Sequence, residues 1–299
     1  MPDPVPTSPG VSSATPKPDH GRAGRNLPAA IAVGVALVVV MVVTLGWFPL
    51  GFQVLVVLAL TLGAVEVYQA LKHIDMHAAI VPIVVGTVII VFSSYLATQR
   101  DLGISATTLM LVSVGSTALL TMIWRMPKVE RGYVRDVAAS LFIIGYIPLL
   151  GSFAGLILAG DQGQMRMITF ISIVVLGDLG GYVAGVLFGK HKMAPRISPK
   201  KTWEGFAGSV VFGVAGAIPL VVYGLGASFW VGIILGVVLV VVGACGDLIE
   251  SLIKRDVGIK DMSSFLPGHG GVMDRLDSLI VALPAAWFLM VLLIPGGAQ

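Results

Sequence analysis

About nine apolar runs, separated by short polar breaks, account for most of this chain. They lie near 28–47, 50–71, 78–97, 106–124, 137–159, 167–189, 205–224, 228–250 and 278–295. Each is long enough for a helix to cross a hydrocarbon core of about 30 Å. Backbone polar groups in lipid must be satisfied internally, so the runs predict helices. Strands of a membrane barrel would alternate polar and apolar residues. Runs such as "AVGVALVVVMVV" do not. The first two runs are separated by little more than "WFPL", which predicts a tight helical hairpin with Trp47 at the membrane interface. Glycines in the later runs, such as Gly205, Gly208, Gly213 and Gly216, suit close helix packing.

The polar remainder carries the topology. Residues 1–26 are rich in Pro, Ser and charge and read as a disordered cytoplasmic tail, leaving 27–299 as one transmembrane catalytic domain. The first apolar run lies too far from the start, and is too long, for a cleaved signal peptide. With the N-terminus inside and sides alternating, Arg100 and Arg166 are the only two of the 19 Lys and Arg on the outer side. Basic residues concentrate in cytoplasmic loops, so the C-terminus is expected outside.

Composition agrees with an all-α polytopic membrane protein. The chain is 56% hydrophobic and 12% charged, against roughly 25% charged in soluble domains. Its single cysteine, Cys245, excludes an internal disulfide framework and reads as a small packing residue. Nothing points to nucleic acid as a partner.

Three polar groups do not fit a plain bundle. In "LGDLGGY", Asp178 falls mid-run, where a carboxylate is costly unless paired, metal-bound or in a wet cavity. The alternative is a hydrogen-bonded packing Asp. The second group, "GKHKMAPRISPKKTWEG", holds five bases and Glu204. Lys190 and Lys192 serve equally well as topology anchors. In "SPKKTWEG", Pro199 fixes a turn, Thr202 is a candidate N-cap, and Lys200 and Lys201 flank a helix N-terminus, a natural phosphate site. Glu204 in the first turn suits the helix dipole, and could also orient a lysine or hold a metal.

The third group spans 247–277 and holds six of the chain's 16 acids. Asp247, Glu250, Ser251 and Lys254 share one helical face, as do Asp274, Asp277 and Ser278. Between them runs a loop from Asp256 to Met273 with Lys260, Asp261 and "PGHGG". Hard divalent cations want carboxylate oxygens, and Mg²⁺ usually takes one or two carboxylates plus phosphates and waters. Lys and Arg want phosphate oxygens, and Gly270 and Gly271 admit close backbone approach. The mixture reads as a metal–polyphosphate site suited to phosphoryl chemistry. The alternative is salt-bridge closure of two helix ends, with His269 an ordinary loop residue.

The run Ser251-Leu252-Ile253-Lys254-Arg255, then Lys260-Asp261, Leu266-Pro267-Gly268-His269-Gly270-Gly271 and Asp274-Arg275-Leu276-Asp277 resembles the signature of phosphatidate cytidylyltransferases, also called CDP-diacylglycerol synthases. "SPKKTWEG" and "GDLIES" resemble further stretches of that family, and the likeness covers roughly residues 120–295. In "GDLGGY" this chain has Leu179 and Gly180 where relatives often carry a hydroxyl residue and an alanine.

The resemblance implies attack of phosphatidate on the α-phosphorus of CTP, giving CDP-diacylglycerol and pyrophosphate, with Mg²⁺ required. It leaves open a second metal or a monovalent cation. The nucleophile is an anionic phosphate monoester, so the enzyme needs charge neutralisation more than a strong base. Asp247 and Asp274 are the leading metal ligands, followed by Asp277 and Asp178. Asp247, Asp274, Lys254, Arg275 and His269 are the expected catalytic group. Ser198, Lys200, Lys201, Glu204, Ser251, Arg255, Lys260, Asp261, Gly270 and Gly271 are the expected substrate contacts. The expected setting is a bacterial plasma membrane with the site facing the cytoplasm, and the resemblance implies a homodimer. A secondary transporter would suit Asp178 at depth, but the charge clusters sit at one face rather than the midplane. A CDP-alcohol phosphotransferase would need a longer Asp-rich motif that this sequence lacks. A non-catalytic scaffold would not need the polar constellation at all.

Overall fold

The computed structural model describes residues 27–99, 103–128, 132–263 and 270–295. The predicted tail, 1–26, lies outside them. The helices are α1 (Leu27–Trp47), α2 (Pro49–Lys72), α3 (Ile80–Gln99), α4 (Ala106–Arg125), α5 (Tyr133–Ile144), α6 (Leu150–Ala159), α7 (Gly163–Phe188), α8 (Trp203–Pro219), α9 (Phe229–Asp256) and α10 (Met273–Leu293). One antiparallel hairpin, β1 (Lys192–Ala194) and β2 (Ser198–Thr202), lies between α7 and α8. Among the described residues, seven helical segments are long and apolar enough to cross a membrane.

Proline sets several boundaries, because it lacks an N–H and crowds the preceding turn. Pro49 opens α2 directly after Phe48, so α1 and α2 are nearly continuous in sequence, and Trp47 is 71% exposed at the junction. Pro148 sits in a π-helical turn, Gly145–Leu149, that joins α5 to α6 as a single rod. Pro219 closes α8 and a second π-helical turn, Leu220–Gly224, follows.

Two apolar clusters form the interior. One gathers Phe170, Ile173, Leu235, Leu239 and Met290 from α7, α9 and α10. The other gathers Leu60, Val67, Ile83, Ile143 and Met273 from α2, α3, α5 and α10. Between α7 and α8 the contact is backbone to backbone. A Cβ on Gly208 would stand 2.3 Å from Ala184 Cβ and 2.7 Å from Gly180 O. One on Gly216 would stand 2.3 Å from Leu176 Cδ1. The departure in "GDLGGY" belongs to this seam: a Cβ on Gly180 would meet Phe212 Cβ at 2.5 Å, and Leu179 is exposed on the outer surface of the bundle.

The hairpin replaces the loop that the sequence predicted. Lys192 pairs with Thr202 and Ala194 with Ser198, with an irregularity between them. Trp203 N donates to His191 O at 2.9 Å and closes its base. At the other boundaries α7 begins at Gly163 and α10 at Met273, ahead of the predicted 167 and 278. Both helices run on through polar turns beyond the apolar stretch.

Candidate active site

A cavity of about 530 Å³ opens where α7, the hairpin, α8, α9 and the start of α10 meet. Each wall has a local cause. α7 brings Asp178 and Tyr182 to it through the glycine-lined seam with α8, where Gly181 and Gly205 also line the space. Thr202 caps α8 as predicted, its hydroxyl accepting from Gly205 N at 3.2 Å. Ser198, Lys200 and Lys201 reach the cavity from β2. The hairpin is held by Glu204, which accepts from Lys190 N at 3.1 Å and His191 N at 3.2 Å and lies 2.6 Å from His191 Nδ1. Arg255 Nε donates to Ile197 O at 3.4 Å from the α9 side. Glu204 and Arg255 therefore face the hairpin backbone rather than the cavity.

α9 supplies Asp247 and Lys254, and α10 supplies Asp274, Arg275, Asp277 and Ser278. Lys201 Nζ lies 2.6 Å from Asp247 Oδ2, and Ser251 Oγ donates to Asp247 Oδ1 at 3.4 Å. Lys254 bridges two acids: it donates to Glu250, and its Nζ stands 2.8 Å from Asp274 Oδ1. The other Asp274 oxygen accepts from Gly271 N at 2.8 Å and Met262 N at 3.1 Å. Asp274 is thus the residue on which α9, α10 and their connection converge. Gly270 has φ +85° and admits no side chain without crowding that carboxylate at 3.0 Å. Asp277 Oδ1 accepts from Ser278 N at 2.7 Å.

Of the residues singled out from sequence, Asp178, Ser198, Lys200, Lys201, Asp247, Lys254, Asp261, Asp274, Arg275 and Asp277 share this cavity. Glu204, Ser251, Arg255, Gly270 and Gly271 support them from outside the cavity, and Lys260 is exposed and does not line it. His269 lies outside the described residues.

The donor set bears on a divalent cation. Asp178, Asp247 and Asp277 present hard carboxylate oxygens to one space and lie close enough to interact electrostatically. Among the described residues no three His, Cys, Asp or Glu side chains form a ready-made cage. Mg²⁺ does not need one, since it usually takes one or two carboxylates and draws its other ligands from water and phosphate. The residues fit that pattern.

Two carboxylates were not singled out as site residues. Glu250 is fully buried, with Oε2 on Lys254 and Oε1 lacking a partner. Glu66, from α2, accepts from Val272 N, Met273 N and Ser263 Oγ. The sequence signal for Glu66 was there: a lone acid inside an apolar run, of the kind that made Asp178 a candidate.

Comparison with known proteins is consistent with this geometry. The family model described as the cytidylyltransferase family matches residues 28–293. A phosphatidate cytidylyltransferase of Mycobacterium leprae is 40% identical over 289 residues, covering 91% of this chain and 90% of the relative. One of Mycobacterium bovis is 37% identical over 291 residues, covering 93% and 92%. One of Mycobacterium tuberculosis is 37% identical, covering 93% and 86%.

Proposed function

The chain belongs to the cytidylyltransferase family, and from that premise we propose that it transfers CMP from CTP to phosphatidate, releasing CDP-diacylglycerol and pyrophosphate. One observation carries the reading: Asp178, Asp247 and Asp277 line the same cavity as Lys200, Lys201, Lys254 and Arg275. Carboxylates alone would suit a cation and bases alone an anion. Both together suit two phosphate-bearing anionic substrates that must be brought into contact.

In the reaction a phosphatidate oxygen attacks the α-phosphorus of CTP. The new P–O bond forms as the bond to the β-phosphate bridging oxygen breaks, and pyrophosphate leaves with that electron pair. The attacking oxygen is already anionic, so the protein's task is to hold two anions in line and neutralise them. Lys200, Lys201 and Arg275 are assigned to the phosphates. Lys254, fixed between Glu250 and Asp274, presents its charge in one orientation. Lys201 neutralises Asp247. An arriving phosphate offers that ammonium a second partner and frees a carboxylate oxygen. Mg²⁺ held by Asp247, Asp277 and Asp178 would supply the remaining charge neutralisation. Asp274, expected from the sequence as a metal ligand, is assigned instead to positioning, since one oxygen holds Lys254 and the other accepts from two backbone amides, Gly271 N and Met262 N. Ser198, Lys260 and Asp261 are assigned to substrate contacts, Glu204, Ser251, Arg255, Gly270 and Gly271 to support, and His269 keeps the catalytic role that the resemblance implies. The apolar lining from Val174, Leu239 and Val240 suits a substrate that keeps its acyl chains in the bilayer.

We assign nine crossings, an inside N-terminus and a cavity facing the cytoplasm of a bacterial plasma membrane. The charge distribution supports this, because only two of the 19 Lys and Arg fall on the other side in that topology. A homodimer is the association that the family resemblance implies. Reconstituted protein given labelled CTP, phosphatidate and Mg²⁺ should yield a CTP-derived lipid, and Asp247→Asn should abolish it. Transport or alcohol phosphotransfer in place of that product would overturn the assignment.

A further inference from the structure

Glu66 is the only acidic residue of α2 and is 5% exposed. Its carboxylate is held by residues some two hundred positions further along the chain. Oε1 accepts from Ser263 Oγ at 2.6 Å and Val272 N at 2.9 Å, and Oε2 accepts from Met273 N at 2.7 Å. α10 needs such a partner. The first N–H groups of a helix have no intrahelical acceptor and are usually met by a Ser, Thr, Asp or Asn at the N-cap. The N-cap of α10 is Val272, whose side chain can accept nothing. The missing cap therefore comes from another helix, and a carboxylate there is also favoured by the helix dipole. Gly271 supplies a separate observation. A Cβ at that position would stand 2.7 Å from Glu66 Oε2, so the absence of a side chain makes room for this carboxylate. Gly63, one turn before Glu66, lies against Met273, with a Cβ there 3.5 Å from its Sδ.

We propose that Glu66 is a positioning residue: by joining Ser263 to Val272 and Met273 it fixes the first turn of α10, and with it Asp274, Arg275 and Asp277, against the cavity. Glu66 itself does not line the cavity. The link to turnover rests on the reaction proposed above; the clamp does not. Asp274 already ties Gly271 and Met262 to α9 through Lys254. Glu66 adds an independent tie from α2, so the metal-facing turn is held from two sides.

The test uses the full chain in lipid nanodiscs, with Glu66→Gln and Gly271→Ala as separate variants. Glu66→Gln keeps the shape but turns one acceptor into a donor facing a backbone N–H. Gly271→Ala displaces the carboxylate without altering it. Amide hydrogen exchange is read at Val272 and Met273 and along α7, beside the melting midpoint, kcat, and KM for CTP. The expected result for both variants is exchange at Val272 and Met273 faster by roughly tenfold or more, the scale of a lost charge-assisted hydrogen bond. It comes with a kcat loss larger than any change in KM and with native α7 exchange. Native exchange at Val272 and Met273 would overturn the clamp. So would faster exchange everywhere with native kcat per folded molecule, since Glu66 would then be a general stabiliser. If Glu66→Gln does not insert, Gly271→Ala decides by the same local exchange. If exchange changes as expected but the native chain makes no CTP-derived lipid, the clamp stands and the assigned reaction fails.

Discussion

Asp274→Asn removes one charge from a side chain that is 9% exposed and changes its shape very little. In the native chain Oδ1 faces Lys254 Nζ at 2.8 Å and Oδ2 accepts from Gly271 N and Met262 N at 2.8 and 3.1 Å. The amide has a single acceptor oxygen. With that oxygen toward Gly271 and Met262, its NH₂ meets the Lys254 ammonium donor to donor. With the amide flipped, two backbone N–H groups lose their acceptor. A hydrogen bond involving a charged group contributes about 1.5–3 kcal/mol. Lys254 keeps Glu250 as a partner, so the loss stays below the larger cost of isolating a buried charge. If all of it appears in the barrier, kcat falls by roughly tenfold to 150-fold. Initial rates of lipid product at saturating CTP and phosphatidate, in purified nanodisc protein matched for folded amount, measure this. Native kcat in Asp274→Asn would refute the argument that this carboxylate orients Lys254 for turnover.

The remaining predictions address other parts of the molecule. Lys201→Met removes the cation that competes for Asp247, so Mg²⁺ should bind the nucleotide-free protein more tightly while KM for CTP rises; weaker Mg²⁺ binding, read by titration calorimetry, would contradict the assignment of that pair. Gly208→Ala forces a methyl into a backbone contact and should cost about 1–3 kcal/mol of stability. Gly46→Ala, with nothing within 4 Å of the added Cβ, should leave the melting midpoint of detergent-purified protein near native. Glu204→Ala releases the amides of Lys190 and His191 and should raise KM for CTP with little change in kcat, seen in steady-state kinetics.

The helices were legible because lipid imposes one rule on every residue of a span, and long apolar runs report it directly. The ends were less legible. Met273 to Asp277 are polar enough to end a hydropathy run, yet the helix begins there because Glu66 accepts from the amides of Val272 and Met273, while Asp274 accepts from Gly271 N just before them. The hairpin was missed because strands of three and five residues carry no readable alternation, and its cohesion comes from Glu204 and Trp203. The site was legible where spacing is local: Asp247 with Lys254, and Asp274 with Asp277, lie within a few turns of one helix. Contact between helices was not. Nothing in the spacing pairs Lys201 with Asp247, or Glu66 with Val272, because both depend on how distant elements pack. The glycines of α7 and α8 pointed to the seam but not to the cavity that it walls.

The position of the label tests the central claim most directly. Purified nanodisc protein is given phosphatidate, Mg²⁺ and CTP labelled either at the α-phosphorus or at the γ-phosphorus. Attack at the α-phosphorus puts the first label in the lipid and the second in pyrophosphate, and Asp247→Asn and Asp277→Asn lose both products. Label from the γ-phosphorus in the lipid, or no CTP-derived lipid from the native chain, would contradict it.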